Sequence, residues 1–403
     1  MKEAILLAYS GGLDTSVLIK WIQQKYGADV ITVTLDVGQQ EDLKKIEEKA
    51  KSLGVKEHYS IDAKKEFVTD YIFPAIKANA LYEGKYPVGT AIARPLIVSK
   101  MVEIAEKEGV VAIAHGCTGK GNDQVRFDVT IKSLAPNLKV IAPVREWGLT
   151  RDEEIKFAKS QGISIANPAK IYSIDQNLWG RSIECGPLED PDCEAPEEAF
   201  EWTVSPEKAP DKAAYVTIKF ENGVPYAINN EDLDLVNMIE VLNQTAGKHG
   251  VGRIDHIEDR LVGIKSREVY ECPAATVLLE AHRDLEKMVL TRHEVWFKQQ
   301  MDAQWAFLAY TGLWMDPLRE DLEAFIEKTQ ERVSGEVKVK LYKGGLQVVG
   351  RSSPMSLYDV NLATYGIQTT FNQSWSEGFI EIWGLPTRTS HILKKKMENK
   401  EKG

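Results

Sequence analysis

The chain has 403 residues, of which 43% are hydrophobic and 27% charged, as in a soluble globular protein of two or three domains. Its formal net charge of −10 argues against a dominant nucleic-acid surface, and no apolar run approaches the ~20 residues that span a bilayer. Four cysteines without a C-x-x-C pair indicate neither a zinc site nor a disulfide framework.

The first residues lead from charged side chains directly into an apolar strand, without the pattern of a cleaved signal peptide. Together with the cysteine spacing, this favours a cytoplasmic protein with reduced thiols. We expect neither nucleic acid nor a membrane among its partners.

Residues 1 to about 165 alternate between short apolar runs and amphipathic helical patterns. The strand-like runs are Ala4–Ala8, Val30–Leu35, Val55–Ile61, Val110–His115 and Val140–Pro143. This alternation predicts the α/β class with a doubly wound parallel sheet. Ligands of such sheets bind at the carboxyl ends of the strands.

The segment Ala8-Tyr9-Ser10-Gly11-Gly12-Leu13-Asp14-Thr15-Ser16 follows the first strand and opens a helix. Its glycines allow close approach to an anion, while helix-start N–H groups and three hydroxyls can donate hydrogen bonds. The spacing and lysine of a Walker A loop are missing, and so is G-x-G-x-x-G. The segment resembles the S-G-G-x-D-[ST] loop of the ATP-pyrophosphatase families. The alternative is an ordinary glycine-rich turn capped by Ser and Asp.

A weaker pattern is the loop Lys85–Pro95, which enters a helix with Pro95 in its first turn. By itself, Arg94 could be a solvated cation there and Tyr86 a core tyrosine.

A second dense segment, His115–Arg126, carries three glycines in six residues after a buried strand. Asp123 can bind an ammonium group and Arg126 can bind a carboxylate in a bidentate manner, which together suit an amino-acid substrate. A plain surface loop is the alternative. We interpret Cys117 as a small packing residue rather than a nucleophile, because only His115 is near it in the sequence.

In the second half of the chain, the spacing of the apolar residues differs from the alternation in residues 1–165. We interpret 167 to about 210 as an irregular connector rich in Pro and acidic residues. It precedes a separate α+β domain with hairpins around Glu221-Asn222-Gly223 and Lys343-Gly344-Gly345. Three long helices are expected at about 231–246, 273–290 and 292–310.

The C-terminus contains Ser374-Trp375-Ser376-Glu377, which predicts a capping box at the start of a short aromatic helix. Pro386 is expected to end this helix before a lysine-rich tail. The helix packs either on a neighbouring subunit or within its own subunit, and the sequence leaves both open. We expect domains at 1–165 and 166–365, and an oligomerisation arm at 366–403.

Five motifs in the same order resemble the argininosuccinate synthase family along nearly the whole chain. They are AYSGGLDTS, YPVGTAIARP, HGCTGKGNDQVRF, YSIDQNLWGRS and GVGRIDHIEDRLVGIKSREVYE. The resemblance implies an adenine nucleotide α-hydrolase-like first domain, a synthetase domain and a helical arm in a homotetramer. It also implies that citrulline and aspartate are ligated with ATP and Mg²⁺. Citrulline would attack the α-phosphate to form a citrullyl-adenylate and pyrophosphate, and the aspartate amine would then displace AMP.

The resemblance also implies binding residues, position by position. ATP would contact Ala8, Tyr9, Ser10, Gly11, Gly12, Leu13, Asp14, Thr15, Ser16, Leu35 and Gly116. Aspartate would contact Thr90, Thr118, Asn122 and Asp123. Citrulline would contact Tyr86, Asn122, Arg126, Ser173, Ser182, Glu258 and Tyr270. The catalytic residues would be Ser10, Thr15 and Ser16, which would stabilise the charge on the departing pyrophosphate, together with Asp14.

Several alternatives stay open at this point. Asp14 could orient the loop or a metal-bound water, no magnesium ligand is predicted, and no general base for the aspartate amine is evident. Ala91 stands where some family members have a serine. Rival interpretations are another adenylating ligase of the same loop family, such as an amidotransferase or a tRNA-modifying enzyme, and a non-catalytic adenine-nucleotide-binding protein. The lack of an early cysteine argues against an amidotransferase, and the lack of a basic appendage argues against a tRNA-modifying enzyme.

Overall fold

A parallel sheet of five strands organises the N-terminal part of the chain, in the spatial order β3-β2-β1-β4-β5. The computed structural model describes residues 2–148, 151–163 and 171–401. The strands are β1 (Ala4–Ala8), β2 (Asp29–Asp36), β3 (Glu57–Asp62), β4 (Ala112–Ala114) and β5 (Lys139–Ile141). Every neighbouring pair is parallel, which confirms the predicted sheet.

Apolar side chains cover both faces of this sheet. In β1, Leu6 packs into one buried cluster with Ile31, whereas Ile5 and Leu7 pack into a second cluster with Val30. Because successive side chains of a strand point to opposite faces, the two clusters lie on opposite sides of the sheet. The predicted doubly wound α/β class is therefore confirmed.

The helices of this part connect the strands. They are α1 (Leu13–Tyr26), α2 (Leu43–Ser52), α3 (Lys64–Phe67), α4 (Phe73–Lys77), α5 (Gly89–Glu108), α6 (Asp123–Leu134), α7 (Pro143–Trp147) and α8 (Arg151–Ser160), with a π-helical turn at Val68–Ile72. The prediction that Pro95 lies in a first helical turn is wrong, because α5 begins at Gly89. Complete burial of Ala91, Ile92 and Ala93 stabilises α5 despite the hydrogen bond that a proline cannot donate.

Two antiparallel sheets follow, one in the order β10-β9-β8-β13-β14 and one in the order β11-β12-β7-β6. Their strands are β6 (Ser173–Asn177), β7 (Gly180–Glu184), β8 (Ala214–Glu221), β9 (Val224–Ile228), β10 (Glu231–Asp232), β11 (Arg253–Asp259), β12 (Lys265–Glu271), β13 (Gly335–Tyr342) and β14 (Gly345–Ser352). The helices are α9 (Leu235–Lys248), α10 (Pro273–Val289), α11 (Arg292–Tyr310) and α12 (Pro317–Gln330), with 3₁₀ turns at Gly186–Glu189 and Glu197–Ala199.

Both predicted hairpins are present as β8–β9 and β13–β14. The three predicted long helices correspond to α9, α10 and α11. Helix α9 starts later than expected, because the Asp234 side chain caps it by accepting hydrogen bonds from the N–H groups of Val236 and Asn237. Helix α12 was not predicted.

The interpretation of 167–210 as an irregular connector is wrong in part, since the segment contains the hairpin β6–β7. The start of that segment and the predicted domain boundary at 165 fall at or beside 164–170, outside the described residues. The three domain ranges stay a prediction.

Residues Ser356–Gly403 form a compact unit of their own. Its described helices are α13 (Val360–Ala363), α14 (Trp375–Trp383) and α15 (Leu385–Glu401). The predicted capping box is wrong, because Ser374 has a helical backbone and makes no side-chain capping bond. Pro386 does not end a helix either. It lies in the first turn of α15, where a backbone N–H is not needed. None of the described helices is long and apolar enough to cross a membrane.

Candidate active site

The loop between β1 and α1 has the geometry of an anion site. Gly12 precedes the first residue of α1, so the unpaired N–H groups of the first helical turn lie at this loop. Gly11 has a φ of 75°, a conformation that favours glycine. The hydroxyls of Ser10 and Thr15 lie 3.1 Å apart, and Ser10 is exposed. Both hydroxyls are therefore placed where a phosphate could approach the helix start.

Ser16 differs from the other two hydroxyl residues of the loop. Its side chain is fully buried and donates a hydrogen bond of 2.6 Å to the Gly12 carbonyl. The Tyr9 hydroxyl lies 3.1 Å from the same oxygen of Ser16. The structure thus directs Ser16 toward the backbone of the loop, which it holds in shape.

Helix α2 contacts the loop from the side. Lys49 donates a hydrogen bond of 2.6 Å from Nζ to the Gly11 carbonyl, and burial lowers the pKa of this lysine. Ile46 packs so closely on Gly11 that a Cβ there would lie 2.9 Å from Ile46 Cγ1. A lysine therefore does touch this loop, although it comes from another element and binds a carbonyl group.

The other predicted nucleotide contacts lie at the same edge of the sheet. Leu35 is near the carboxyl end of β2, and Gly116 follows β4. A Cβ on Gly116 would lie 3.4 Å from Thr15 Cγ2, so the loops after β1 and β4 touch. The strand order reverses between β1 and β4, which is the position where open α/β sheets bind ligands.

The glycine-rich loop after β4 is fixed by His115. Its Nδ1 accepts a hydrogen bond from the backbone N–H of Cys117, and its Nε2 lies 2.7 Å from Oδ1 of Asp128. Burial raises the pKa of the Cys117 thiol. A thiolate nucleophile at this position is therefore disfavoured, in agreement with its interpretation as a packing residue.

Asp123 joins two guanidinium groups at the start of α6. Its Oδ2 accepts hydrogen bonds from Nε and Nη2 of Arg94 at 2.9 and 2.7 Å, and its Oδ1 accepts one from Arg126 Nη1 at 2.9 Å. Burial alone would raise the pKa of Asp123, but the two cations outweigh it and lower this pKa. Arg94 also binds the carboxylate of Asp175. The cluster contains two guanidinium groups and two carboxylates. The ammonium and carboxylate groups of an amino acid can therefore replace individual partners in these ion pairs.

Arg126 has one free donor group. Its Nε donates to the Tyr310 carbonyl at 2.9 Å, while its buried Nη2 makes no hydrogen bond within the described part of the chain. A buried guanidinium N–H without a partner is costly, so a ligand carboxylate would stabilise it.

The strand pairing of the four-stranded sheet brings together the predicted citrulline-binding residues from the second half of the chain. β12 pairs Tyr270 with Ser182 of β7, which in turn pairs with Asp175 of β6. Side chains two residues apart share a face, so Ser173 lies on the face of Asp175. Pairing of β11 with β12 puts Glu258 on that same face. Four predicted citrulline residues thus line one face of one sheet.

Glu258 is a buried carboxylate surrounded by tyrosines. It accepts a hydrogen bond of 2.7 Å from the Tyr270 hydroxyl at Oε2 and another from the Tyr310 hydroxyl at Oε1. The ring of Tyr86 stacks on Tyr270 with centroids 4.3 Å apart. His256 Nε2 lies 3.3 Å from Oε2 of Glu258, and this interaction raises the pKa of His256. The arrangement provides an apolar-walled acceptor for an ammonium group.

Two further carboxylates, those of Glu184 and Glu268, lie on the same face of the sheet. Nη2 of Arg260 lies 2.9 Å from Glu184 and 2.9 Å from Glu268. Burial and the nearby Glu268 charge raise the pKa of Glu184 to about 7.

The remaining predicted residues are more exposed. Thr118 and Ser173 are at the surface, and the backbone N–H of Thr90 donates to the Tyr86 hydroxyl at 2.8 Å. Ser182 donates a long hydrogen bond of 3.3 Å to the Asp175 carbonyl. Ala91 is buried within α5, so its methyl group packs in the core.

Comparison with family models covers both parts of this site. The arginosuccinate synthase N-terminal HUP domain matches residues 4–164, and the arginosuccinate synthase C-terminal domain matches residues 172–390. The chain belongs to the argininosuccinate synthase family. Members of this family are ligases that join citrulline to aspartate in an ATP-dependent reaction of arginine biosynthesis.

Curated relatives agree with the family models. The chain is 61% identical to an argininosuccinate synthase of Pyrococcus furiosus, over 94% of this chain and 92% of the relative. It is 58% identical to that of Pyrobaculum aerophilum, over 96% and 98%. The argininosuccinate synthase of Methanocaldococcus jannaschii is 56% identical, over 98% and 100%.

The structure adds residues to this site that the sequence did not single out as binding residues. Arg94 and Asp175 belong to the charge cluster, His256 and Tyr310 adjoin Glu258, and Lys49 binds the loop between β1 and α1. Their sequence signal was weak because a lysine, a histidine or a helical tyrosine occurs in many structural roles.

Proposed function

We propose that this chain joins citrulline to aspartate through a citrullyl-adenylate, as a carbon–nitrogen ligase that releases AMP and pyrophosphate. One observation carries this proposal: Asn122 and Arg126, at the start of α6, both contact Tyr310, whose hydroxyl donates to Glu258. Asn122 donates to the Tyr310 hydroxyl at 2.8 Å and accepts from the backbone N–H of Leu261 at 2.9 Å. The residues assigned to citrulline and those assigned to aspartate therefore meet at the start of α6.

The loop Ala8–Ser16 is assigned to the β- and γ-phosphates. The ureido oxygen of citrulline attacks the α-phosphorus, and the bond to the β-phosphate oxygen breaks as pyrophosphate leaves with the electron pair. Helix-start N–H groups and the Ser10 and Thr15 hydroxyls stabilise the charge on pyrophosphate. Ser16 supports the loop from below, and Leu35 and Gly116 border the nucleotide.

No protein nucleophile is required, because citrulline supplies it and the adenylate activates its ureido carbon. The aspartate amine attacks that carbon, AMP leaves, and the amine proton passes to solvent or to the leaving phosphate. The chain contributes positioning and electrostatics.

Citrulline fits the sheet face. Its ammonium group is assigned to Glu258 between Tyr270 and Tyr310, and its carboxylate to the free Nη2 of Arg126 with help from Ser173 and Ser182. Tyr86 and Asn122 border its chain. Aspartate is assigned to Thr90, Thr118, Asn122 and Asp123, where the Arg94 guanidinium offers a partner for a carboxylate.

Mg²⁺ is proposed to accompany ATP and to neutralise phosphate charge. No group of three or more His, Cys, Asp or Glu side chains in the described ranges could hold a metal ion, so its ligands would come mainly from phosphate oxygens and water. Asp14, in the first turn of α1, would orient either the loop or a metal-bound water. We further propose a cytoplasmic homotetramer with the domain ranges given above.

Product analysis of the full chain tests this function. With ATP, magnesium, citrulline and aspartate, AMP and pyrophosphate should appear in equal amounts, and omission of either amino acid should abolish AMP release. Glutamine or asparagine in place of citrulline or aspartate serves as a matched control. Product formation with another acceptor would indicate a different adenylating ligase. ATP binding without turnover would indicate a non-catalytic nucleotide-binding protein.

A further inference from the structure

Tyr310, the last residue of α11, lies at the centre of the substrate-binding groups. Its hydroxyl donates to Oε1 of Glu258 and accepts a hydrogen bond of 2.8 Å from Nδ2 of Asn122. Its backbone carbonyl accepts a hydrogen bond of 2.9 Å from Nε of Arg126. The residue therefore contacts three side chains that are assigned to substrates.

The position of Tyr310 is rigid. The residue is fully buried, and its ring stacks on Tyr82. The following turn is pressed against α6, since a Cβ on Gly312 would lie 3.0 Å from the Arg126 Cα, and Gly312 has a φ of 77°. The C-terminal turn of α11 and the N-terminal turn of α6 are thus held at a fixed distance.

The hydroxyl of Tyr310 has a single proton, which sets the direction of its hydrogen bonds. With the proton directed to the Glu258 carboxylate, the oxygen is left to accept from the Asn122 amide. This also fixes the orientation of the Asn122 side chain, whose Oδ1 accepts from Leu261. Burial and the adjacent carboxylate raise the pKa of Tyr310, so the hydroxyl stays a donor across the physiological range.

We propose that Tyr310 is a positioning residue that links Glu258 of the citrulline subsite to Asn122, the residue assigned to both citrulline and aspartate. It touches neither substrate. It orients the carboxylate for the citrulline ammonium and the amide for aspartate, so one hydroxyl sets the geometry of both subsites. This inference rests on the proposed function, because the identity of the two substrates comes from it.

The test compares Tyr310→Phe with Tyr270→Phe. Tyr270 also donates to Glu258, but no hydrogen bond connects it to Asn122 among the described residues. We expect Tyr310→Phe to raise KM for both citrulline and aspartate by about tenfold, the size expected for loss of a hydrogen bond to a charged or buried group. Tyr270→Phe should raise KM for citrulline alone, and neither change should alter KM for ATP.

Tyr59→Phe is the matched control, because Tyr59 donates a hydrogen bond of 2.6 Å to the remote carboxylate of Glu108. It should leave all three KM values unchanged. Partial unfolding of a variant lowers kcat but not KM, so the comparison survives a loss of folded enzyme. An aspartate KM that is unchanged in Tyr310→Phe would overturn the inference.

Different results would contradict the linking role of Tyr310 and the proposed function. Citrulline-dependent exchange of pyrophosphate into ATP by the unmodified chain tests the proposed function. If that exchange occurs but Tyr310→Phe behaves like Tyr270→Phe, only the linking role of Tyr310 is wrong. If the exchange is absent, the proposed function itself fails.

Discussion

The guanidinium of Arg94 binds the carboxylate of Asp123 through two hydrogen bonds of 2.7 and 2.9 Å. Taken alone, the sequence allowed Arg94 to be a solvated cation and Asp123 to bind an ammonium group. Their pairing means that a substrate must share or replace these bonds. The two hydrogen bonds hold both side chains in place before a ligand binds, which reduces the cost of ordering them on binding.

Replacement of Asp123 tests the aspartate subsite. We expect Asp123→Ala to raise KM for aspartate at least tenfold, because it removes a carboxylate and leaves two guanidinium groups without their shared partner. KM for ATP should change much less. Steady-state kinetics with each substrate varied in turn measures both values. An equal rise for ATP and aspartate would remove the role assigned to Asp123.

Two serines of one loop should behave differently. Ser10→Ala should lower the rate of pyrophosphate formation by roughly tenfold to a hundredfold, because an outward hydroxyl is lost. Ser16→Ala removes a buried hydrogen bond and should lower the free energy of unfolding by about 1 kcal/mol. Urea unfolding and initial rates separate the two effects. The reverse pattern would show that Ser16, not Ser10, faces the phosphate.

The N-terminal half could be predicted well because its strands are buried on both faces. Continuous apolar runs such as Ala4–Ala8 are easy to recognise, and the loop after β1 stands at a predictable edge. The contacts within that loop could not be predicted. Lys49 reaches Gly11 from the next helix, and no spacing in the sequence indicates that approach.

Glu184 should make stability depend on pH. Its pKa is about 7 in the folded protein against an ordinary value of 4.5, so the folded state holds a proton that the unfolded state releases. The free energy of unfolding therefore falls as pH rises through this window, and levels off above it. Glu184→Gln removes this loss.

The measurement is urea unfolding of Glu184→Gln and the parent chain between pH 4 and pH 8. The difference in favour of the variant should grow from about pH 4.5 to pH 7 and then stay constant. Glu221→Gln on an exposed part of β8 serves as the control. Parallel curves for the Glu184 variant and the parent would contradict the raised pKa.

Lys298 is a buried cation that supports the second half of the fold. Its Nζ lies 2.8 Å from Asp302 and 2.9 Å from Glu286, and its side chain is 1% exposed. Lys298→Met should lower the free energy of unfolding by about 3–5 kcal/mol, because it removes the cation that two buried carboxylates share. The loss should be smaller at pH 5, where those carboxylates can take up protons. Lys51→Met, which breaks the exposed pair with Glu47, should have no measurable effect.

The C-terminal arm is predicted to carry subunit contacts. The short helix α14 exposes four large apolar side chains, those of Phe379, Ile380, Ile382 and Trp383. Deletion of residues 374–403, which removes α14 and α15, should lower the number of subunits per particle in light scattering. An unchanged number of subunits would assign this helix to the fold of its own subunit.

The second half shows why half of a site escapes prediction. Strands β11 and β12 read RIDHIED and KSREVYE, so charged and polar residues interrupt the apolar alternation that identifies a strand. Some of these polar residues border the candidate site on one face of the sheet, and others, such as the paired Asp255 and Arg267, lie on the opposite face. The apolar alternation around Glu258 and Tyr270 is therefore too weak to identify their strands. Only the family resemblance indicated these two residues.

The exchange of labelled pyrophosphate into ATP, without aspartate, tests the proposed adenylate most directly. Reversible adenylation predicts that label enters ATP when citrulline is present and not when it is omitted. Label that enters ATP without citrulline, or only with a different acceptor, would contradict the account.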